Sequence, residues 1–167
     1  QRQWGFMAIP GIELTHCPVL SICDLAAKAK RAGAAIVVVH GETVVEPVEP
    51  GTNRAAVESP DVDILAHPGL ITLEDAAIAA SRGMFLELSC RKGHSLTNGH
   101  VATVAREAGA LMLVNTDAHS PSDLINGSFA HTVARGAGLS EVELEKTLNQ
   151  NPATLLQRLT KHRTTWV

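Results

Sequence analysis

Val62-Asp63-Ile64-Leu65-Ala66-His67-Pro68-Gly69 runs from a short apolar stretch straight into a histidine and a Pro-Gly turn. Such a run reads as a buried strand, and the turn bends the chain sharply just after the imidazole. Four further apolar runs share the form, at residues 8–14, 35–40, 84–89 and 111–116. None alternates strictly, so both faces of the sheet are expected to be covered. Helix-period segments lie between them, at 21–32, 72–82, 97–108 and 121–137. Ser21 with Asp24, Thr72 with Asp75, and Ser120 before Pro121 with Asp123 read as helix starts, and Gly33, Gly83 and Gly109 as stops. Residues 42–51, with Pro47, Pro50 and several acids, read as a long loop before a short helix at 53–58. Two more helices, 140–149 with a Ser140/Glu143 capping box and 152–159, close the chain.

Strands alternating with helices imply parallel βαβ units, and right-handed crossovers put every strand's C-terminal end on one edge. Those ends fall near residues 13, 40, 67, 89 and 117, spaced 22 to 28 apart, which matches the repeat of a β/α barrel whose chemistry gathers at that edge. Five strands cannot close an eight-stranded barrel. The expectation is one α/β domain over residues 1–167, with the sheet open or the remaining strands supplied by sequence absent here.

A net charge of -3 gives nucleic-acid binding no electrostatic support and fits a small polar substrate better. Cys17, Cys23 and Cys90 form no C-x-x-C pair and read as small apolar side chains rather than a disulfide framework. The sequence holds no apolar run long enough for a membrane span and opens at Gln1 on no secretory leader, so a cytoplasmic protein is the default expectation.

Ligand-type side chains sit at the strand ends. Glu13 closes the first strand, His40 the second and His67 the third, and Asp117 with His119 leaves the fifth. Carboxylate and imidazole are the donors that hold zinc, manganese or iron, and alternate residues of a D-x-H pair share a face. Arg91, Lys92 and His94, after the fourth strand, are candidates to hold a phosphate, as is Arg54. His16 and Cys17 follow Glu13 closely enough to line the same rim, whereas His100, His131 and His162 read as ordinary helix or tail residues.

Pro10-Gly11-Ile12-Glu13, Val39-His40-Gly41, Ile64-Leu65-Ala66-His67-Pro68-Gly69 and Asn115-Thr116-Asp117-Ala118-His119-Ser120 together resemble the later motifs of the polymerase and histidinol phosphatase (PHP) family, and Arg91-Lys92-Gly93-His94-Ser95 resembles a loop of its stand-alone phosphoesterase-like members. The resemblance implies a distorted (β/α)7 barrel with up to three divalent metals, hydrolysing phosphoesters such as histidinol phosphate and nucleotides. It further implies that Glu13 bridges two metals, His40 and His67 complete one site, Asp117 ligates a second metal and His119 a third. Glu13 and Asp117 would serve catalysis. The family opens with an H-x-H pair, and nothing of that kind precedes Glu13 here. The first barrel strands are therefore expected to be missing, leaving Glu13/His40/His67 as the intact site. An amidohydrolase-like metal enzyme and a non-catalytic metal-binding scaffold are the alternatives. The unpaired sheet edge makes a homo-oligomer a reasonable expectation.

Overall fold

The computed structural model describes residues 8–161. Five parallel strands, β1 (Gly11–Leu14), β2 (Ile36–His40), β3 (Ile64–Ala66), β4 (Phe85–Ser89) and β5 (Leu111–Asn115), pair in chain order within one sheet. That order lacks the reversal of a doubly wound sheet, so right-handed crossovers bring the connecting helices to one face. α1 (Ile22–Ala32), α2 (Thr52–Glu58), α3 (Leu73–Arg82) and α4 (Asn98–Ala108) each pack on the next. Gly33, Gly83 and Gly109 stop three of these helices with φ of 108°, 64° and 73°, a region costly for any residue with a Cβ.

The two-residue period of the strands divides the core. Val37, Val39, Leu65, Leu86, Leu88 and Met112 pack under the helix layer. Ile64, Phe85 and Leu113 face the other way, where Leu155 and Leu159 of α7 (Asn151–Lys161) cover the N-terminal part of the sheet. Burying a side chain of this size stabilises the fold by roughly 1.5–3 kcal/mol. β1 is the exception: Gly11, Ile12 and Glu13 are all exposed, and it forms one edge of the sheet.

Four local expectations are corrected. Ser21 makes no side-chain cap, because its backbone is already helical at the end of a 3-10 turn spanning Val19–Ser21. The segment expected as a helix over 121–137 divides into a 3-10 turn at Pro121–Asp123 and α5 (Gly127–Gly136), started by Asn126, whose side chain accepts the Phe129 N–H. The last two helices run on without a break from α6 (Glu141–Glu145) through a π turn at Lys146–Gln150. That wide turn accommodates the ring of Pro152, which in a regular helix would meet the Leu148 carbonyl. Cys23 is exposed rather than buried, and burial pushes the Cys90 thiol up to about 11. His162 lies outside the described residues. No described helix is long and apolar enough to cross a membrane.

Candidate metal centre

β2 ends at His40, whose ring lies on the sheet face opposite the helices. β3 stops one residue earlier, at Ala66, so an extended His67 would point away from that face. It does not, because His67 takes a left-handed backbone with φ 30°. Its ring ends 4.4 Å from that of His40 and 4.2 Å from that of His94. A non-glycine residue in this region costs on the order of 1–3 kcal/mol, and Asp117, also at a strand end, shares it with φ 48°. Two glycines lock the loops that carry the histidines. A Cβ on Gly41 would lie 2.5 Å from the Ala66 carbonyl oxygen, and one on Gly69, with φ 61°, would lie 1.8 Å from the Glu42 oxygen.

The imidazoles of His40, His67 and His94 are all buried, and one ring nitrogen from each falls within 4.8 Å of the others. In each ring Nδ1 is engaged. His40 Nδ1 donates to the Gly41 carbonyl at 3.0 Å, His67 Nδ1 meets Glu87 Oε2 at 2.9 Å, and His94 Nδ1 meets Thr43 Oγ1 at 2.9 Å. Carbonyl and carboxylate partners fix the proton on Nδ1, leaving the Nε2 lone pair free. The Nε2 atoms of His40 and His67 are buried without a hydrogen-bond partner. Orphaned buried nitrogens are costly, and a shared cation would satisfy both at once. These three histidines could hold a metal ion.

Carboxylates surround the trio. Glu87 is buried in the middle of β4 and also accepts the His67 backbone N–H at 2.9 Å and the Asn115 amide at 3.0 Å. Desolvation works to lower the His67 pKa, but Glu87 overrides it and the net direction is up. With Nδ1 spoken for, the gain in basicity falls on Nε2, the atom a metal would take. Burial, and the neighbouring His67 when it is charged, lower both His40 and His94. Asp117 places Oδ2 at 3.7 Å from His94 Nε2 and 4.0 Å from His67 Nδ1. The Glu13 carboxyl is raised by desolvation, with His67 opposing and Asp117 and Glu87 adding to the rise. It stands one row below His40, paired in register with Val38. Glu46 reaches in from the loop after β2, and His16 Nε2 stands 3.4 Å from it.

The remaining candidates fall further out. His119 is exposed, stands against the Arg91 guanidinium, and is not among the clustered imidazoles. Arg91 also donates to the Asp117 carbonyl at 3.2 Å and lies 3.7 Å from its carboxylate, which ties the two rim loops together. Lys92 is exposed beside Arg91, where the two border a cleft of about 430 Å³ with Ser122, Asp123 and Phe129. Arg54 is engaged elsewhere: its guanidinium pairs with Glu74 at 2.8 Å and Asp75 at 2.5 Å on α3. His94, expected to hold substrate, is instead the third clustered imidazole, and His100 contacts the Ile71 carbonyl at 2.8 Å, away from the trio.

No family model matches the sequence. The uncharacterized protein MJ1295 of Methanocaldococcus jannaschii is 55% identical over 160 residues, spanning 95% of this chain and 73% of that protein. The chain belongs to the MJ1295 family. More distantly, a protein of Shewanella sp. (strain ANA-3) named "probable phosphatase" is 31% identical over 135 residues, covering 70% of this chain. Another of that name, from Thermoanaerobacter sp. (strain X514), is 34% identical over 97 residues, covering 52% of this chain. The chain spans 52% and 40% of their lengths. In fold, a chain of the cryo-EM structure of archaeal ribonuclease P with mature tRNA superposes with a TM-score of 0.79 at 19% identity, over 99% of this chain and 75% of that one. An amidohydrolase crystal structure gives 0.65 at 17% identity, over 88% and 42%.

Proposed function

We propose that this chain carries the centre of a metal-dependent phosphoester hydrolase of the PHP type, on an arc of a TIM-like barrel. The observation that carries this reading is the pair of buried, unpartnered Nε2 atoms on His40 and His67, each with its Nδ1 already held. Similarity to the "probable phosphatases" supports phosphate chemistry. His40, His67 and His94 would hold the metal, with Glu13 and Asp117 as flanking carboxylates, and zinc, manganese or iron would suit that donor set. A bound divalent ion would neutralise charge on the phosphoryl oxygens and make a nearby water more acidic.

The protein's own contribution is positioning. Arg91 offers a planar fork at the rim and Lys92 a mobile point charge, both suited to the remaining phosphate oxygens of a small substrate. Glu87 holds the His67 ring in orientation, and the Gly41 and Gly69 contacts keep the two loops from drifting.

Elemental analysis of purified protein, paired with hydrolysis of p-nitrophenyl phosphate, tests the reading. About one equivalent of zinc, manganese or iron is expected in the wild type, with metal and activity both lost in His67→Ala. Protein that takes up none of these metals, even after reconstitution, would refute it.

A further inference from the structure

The loop between β2 and α2 is pinned at both ends. At its start, the Glu42 carboxylate accepts the Gly51 N–H at 3.0 Å and the Asn53 N–H at 2.9 Å, and the Glu42 N–H donates to the Asn53 side chain at 3.0 Å. Next to it Thr43 meets His94. At its end, Glu49 accepts the Val19 N–H at 2.9 Å and the Thr52 hydroxyl at 2.6 Å. Between these anchors Val45 packs against Gly93, close enough that a Cβ there would stand 3.2 Å from it. A loop held this way delivers its apex to a defined place, and the apex carries Glu46.

Glu46 Oε2 stands 3.7 Å from His40 Nε2 and 3.7 Å from His94 Nε2. Neither distance is a hydrogen bond. Ligands of a four-coordinate zinc, each about 2.1 Å from the ion, lie roughly 3.4 Å from one another. These two spacings are close to those of donor atoms sharing one small cation, while His67, the third clustered imidazole, stands outside direct reach of Glu46. Asp117 is the competing carboxylate, but its Oδ2 approaches only one Nε2, that of His94, and it faces Arg91 as well.

We propose that Glu46 is the carboxylate ligand of the His40/His67/His94 centre, completing a shell of three imidazoles and one carboxylate around a divalent cation. This rests on the reading that the centre binds a metal. Four protein ligands leave no position open, whereas catalytic centres keep one. Glu46, half-exposed on a loop, would be the ligand free to exchange with a phosphate oxygen. The His16 imidazole, 3.4 Å from the other carboxylate oxygen, would hold it there.

The experiment is a titration of metal-stripped protein with Zn(II) in competition with a chromophoric chelator, repeated with Co(II) followed by its visible absorption, on the wild type, Glu46→Gln and Asp117→Asn. Circular dichroism checks that each variant is folded. For Glu46→Gln the zinc dissociation constant is expected to rise about tenfold or more and the Co(II) band to shift. Inorganic phosphate is expected to perturb the Co(II) band of Glu46→Gln at lower concentration than that of the wild type, with no carboxylate to displace. Wild-type affinity and an unchanged band in Glu46→Gln would overturn the assignment while leaving the metal centre standing. The same effects confined to Asp117→Asn would assign the carboxylate to Asp117 instead. No binding by the wild type would remove both this proposal and the functional reading beneath it.

Discussion

At the N-terminal edge of the sheet, Asp63 Oδ2 accepts the Val37 N–H at 2.7 Å and pairs with Lys30 Nζ at 2.5 Å, while Phe85, Leu155 and Leu159 pack beneath. At the C-terminal edge the same strands lead into three buried histidines, two of them with unpartnered Nε2 atoms, and into three left-handed residues, His16, His67 and Asp117. Apart from the buried Ser59 hydroxyl, the first end meets the polar groups named here internally, whereas the other leaves two imidazole nitrogens open toward a shared point. Polar atoms left unmet at an interior cost stability unless something outside the chain meets them. The contrast separates the part of the molecule that holds the fold from the part arranged for a ligand.

Four substitutions would break or sharpen that contrast. The largest effect is expected at the lower end: Phe85→Ala should cost about 3–5 kcal/mol in urea unfolding, with the trio of histidines intact and metal still bound by the folded fraction. Next, Glu87→Gln keeps the shape of the upper end but loses the charge behind His67. Metal affinity should fall roughly 10- to 100-fold, read by chelator competition, and a smaller change would mean that Glu87 serves packing alone. Asp63→Asn removes one charge from the quarter-exposed pair with Lys30, and about 1 kcal/mol or less should be lost, with metal affinity unchanged. The smallest effect concerns Glu143, well outside both ends. Arg106, with help from the Ser140 cap, lowers its carboxyl from 4.5 to about 2. A depressed folded pKa means stability present above the unfolded value and lost as pH falls through the folded one. The melting-temperature advantage of wild type over Glu143→Gln should therefore hold at neutral pH and vanish between about 4.5 and about 2. An advantage undiminished at pH 2 would show that the effect is not ionic.

The glycine stops and the apolar runs were legible because each is a local rule: Gly109 permits a left-handed stop wherever its helix lies, and a run such as residues 35–40 is buried in any α/β sheet. His40, His67 and Asp117 were legible as strand-end residues for the same reason. Glu87 left a signal that could have been read, the single acid in the otherwise apolar run from Phe85 to Leu88, on the face of the strand away from the helices. Glu46 left none, since one acid in a loop containing Glu42 and Glu49 is indistinguishable from its neighbours. In sequence alone His94 reads as a phosphate contact beside the basic Arg91 and Lys92. In the fold its Nδ1 is held by Thr43, 51 residues away.

The sequence by itself determined which residues reach the C-terminal edge, because strand length and period follow from local apolar patterning and parallel crossovers send all ends one way. Only the tertiary structure decided where they point once there. His67 turns inward through a left-handed φ that its own sequence does not demand, enforced by the locked Gly41 and Gly69 loops. His94 and Glu46 arrive on loops whose paths are set by hydrogen bonds to distant residues. Direction at the end of a strand is a property of the surrounding packing, so it is written in contacts and not in spacing.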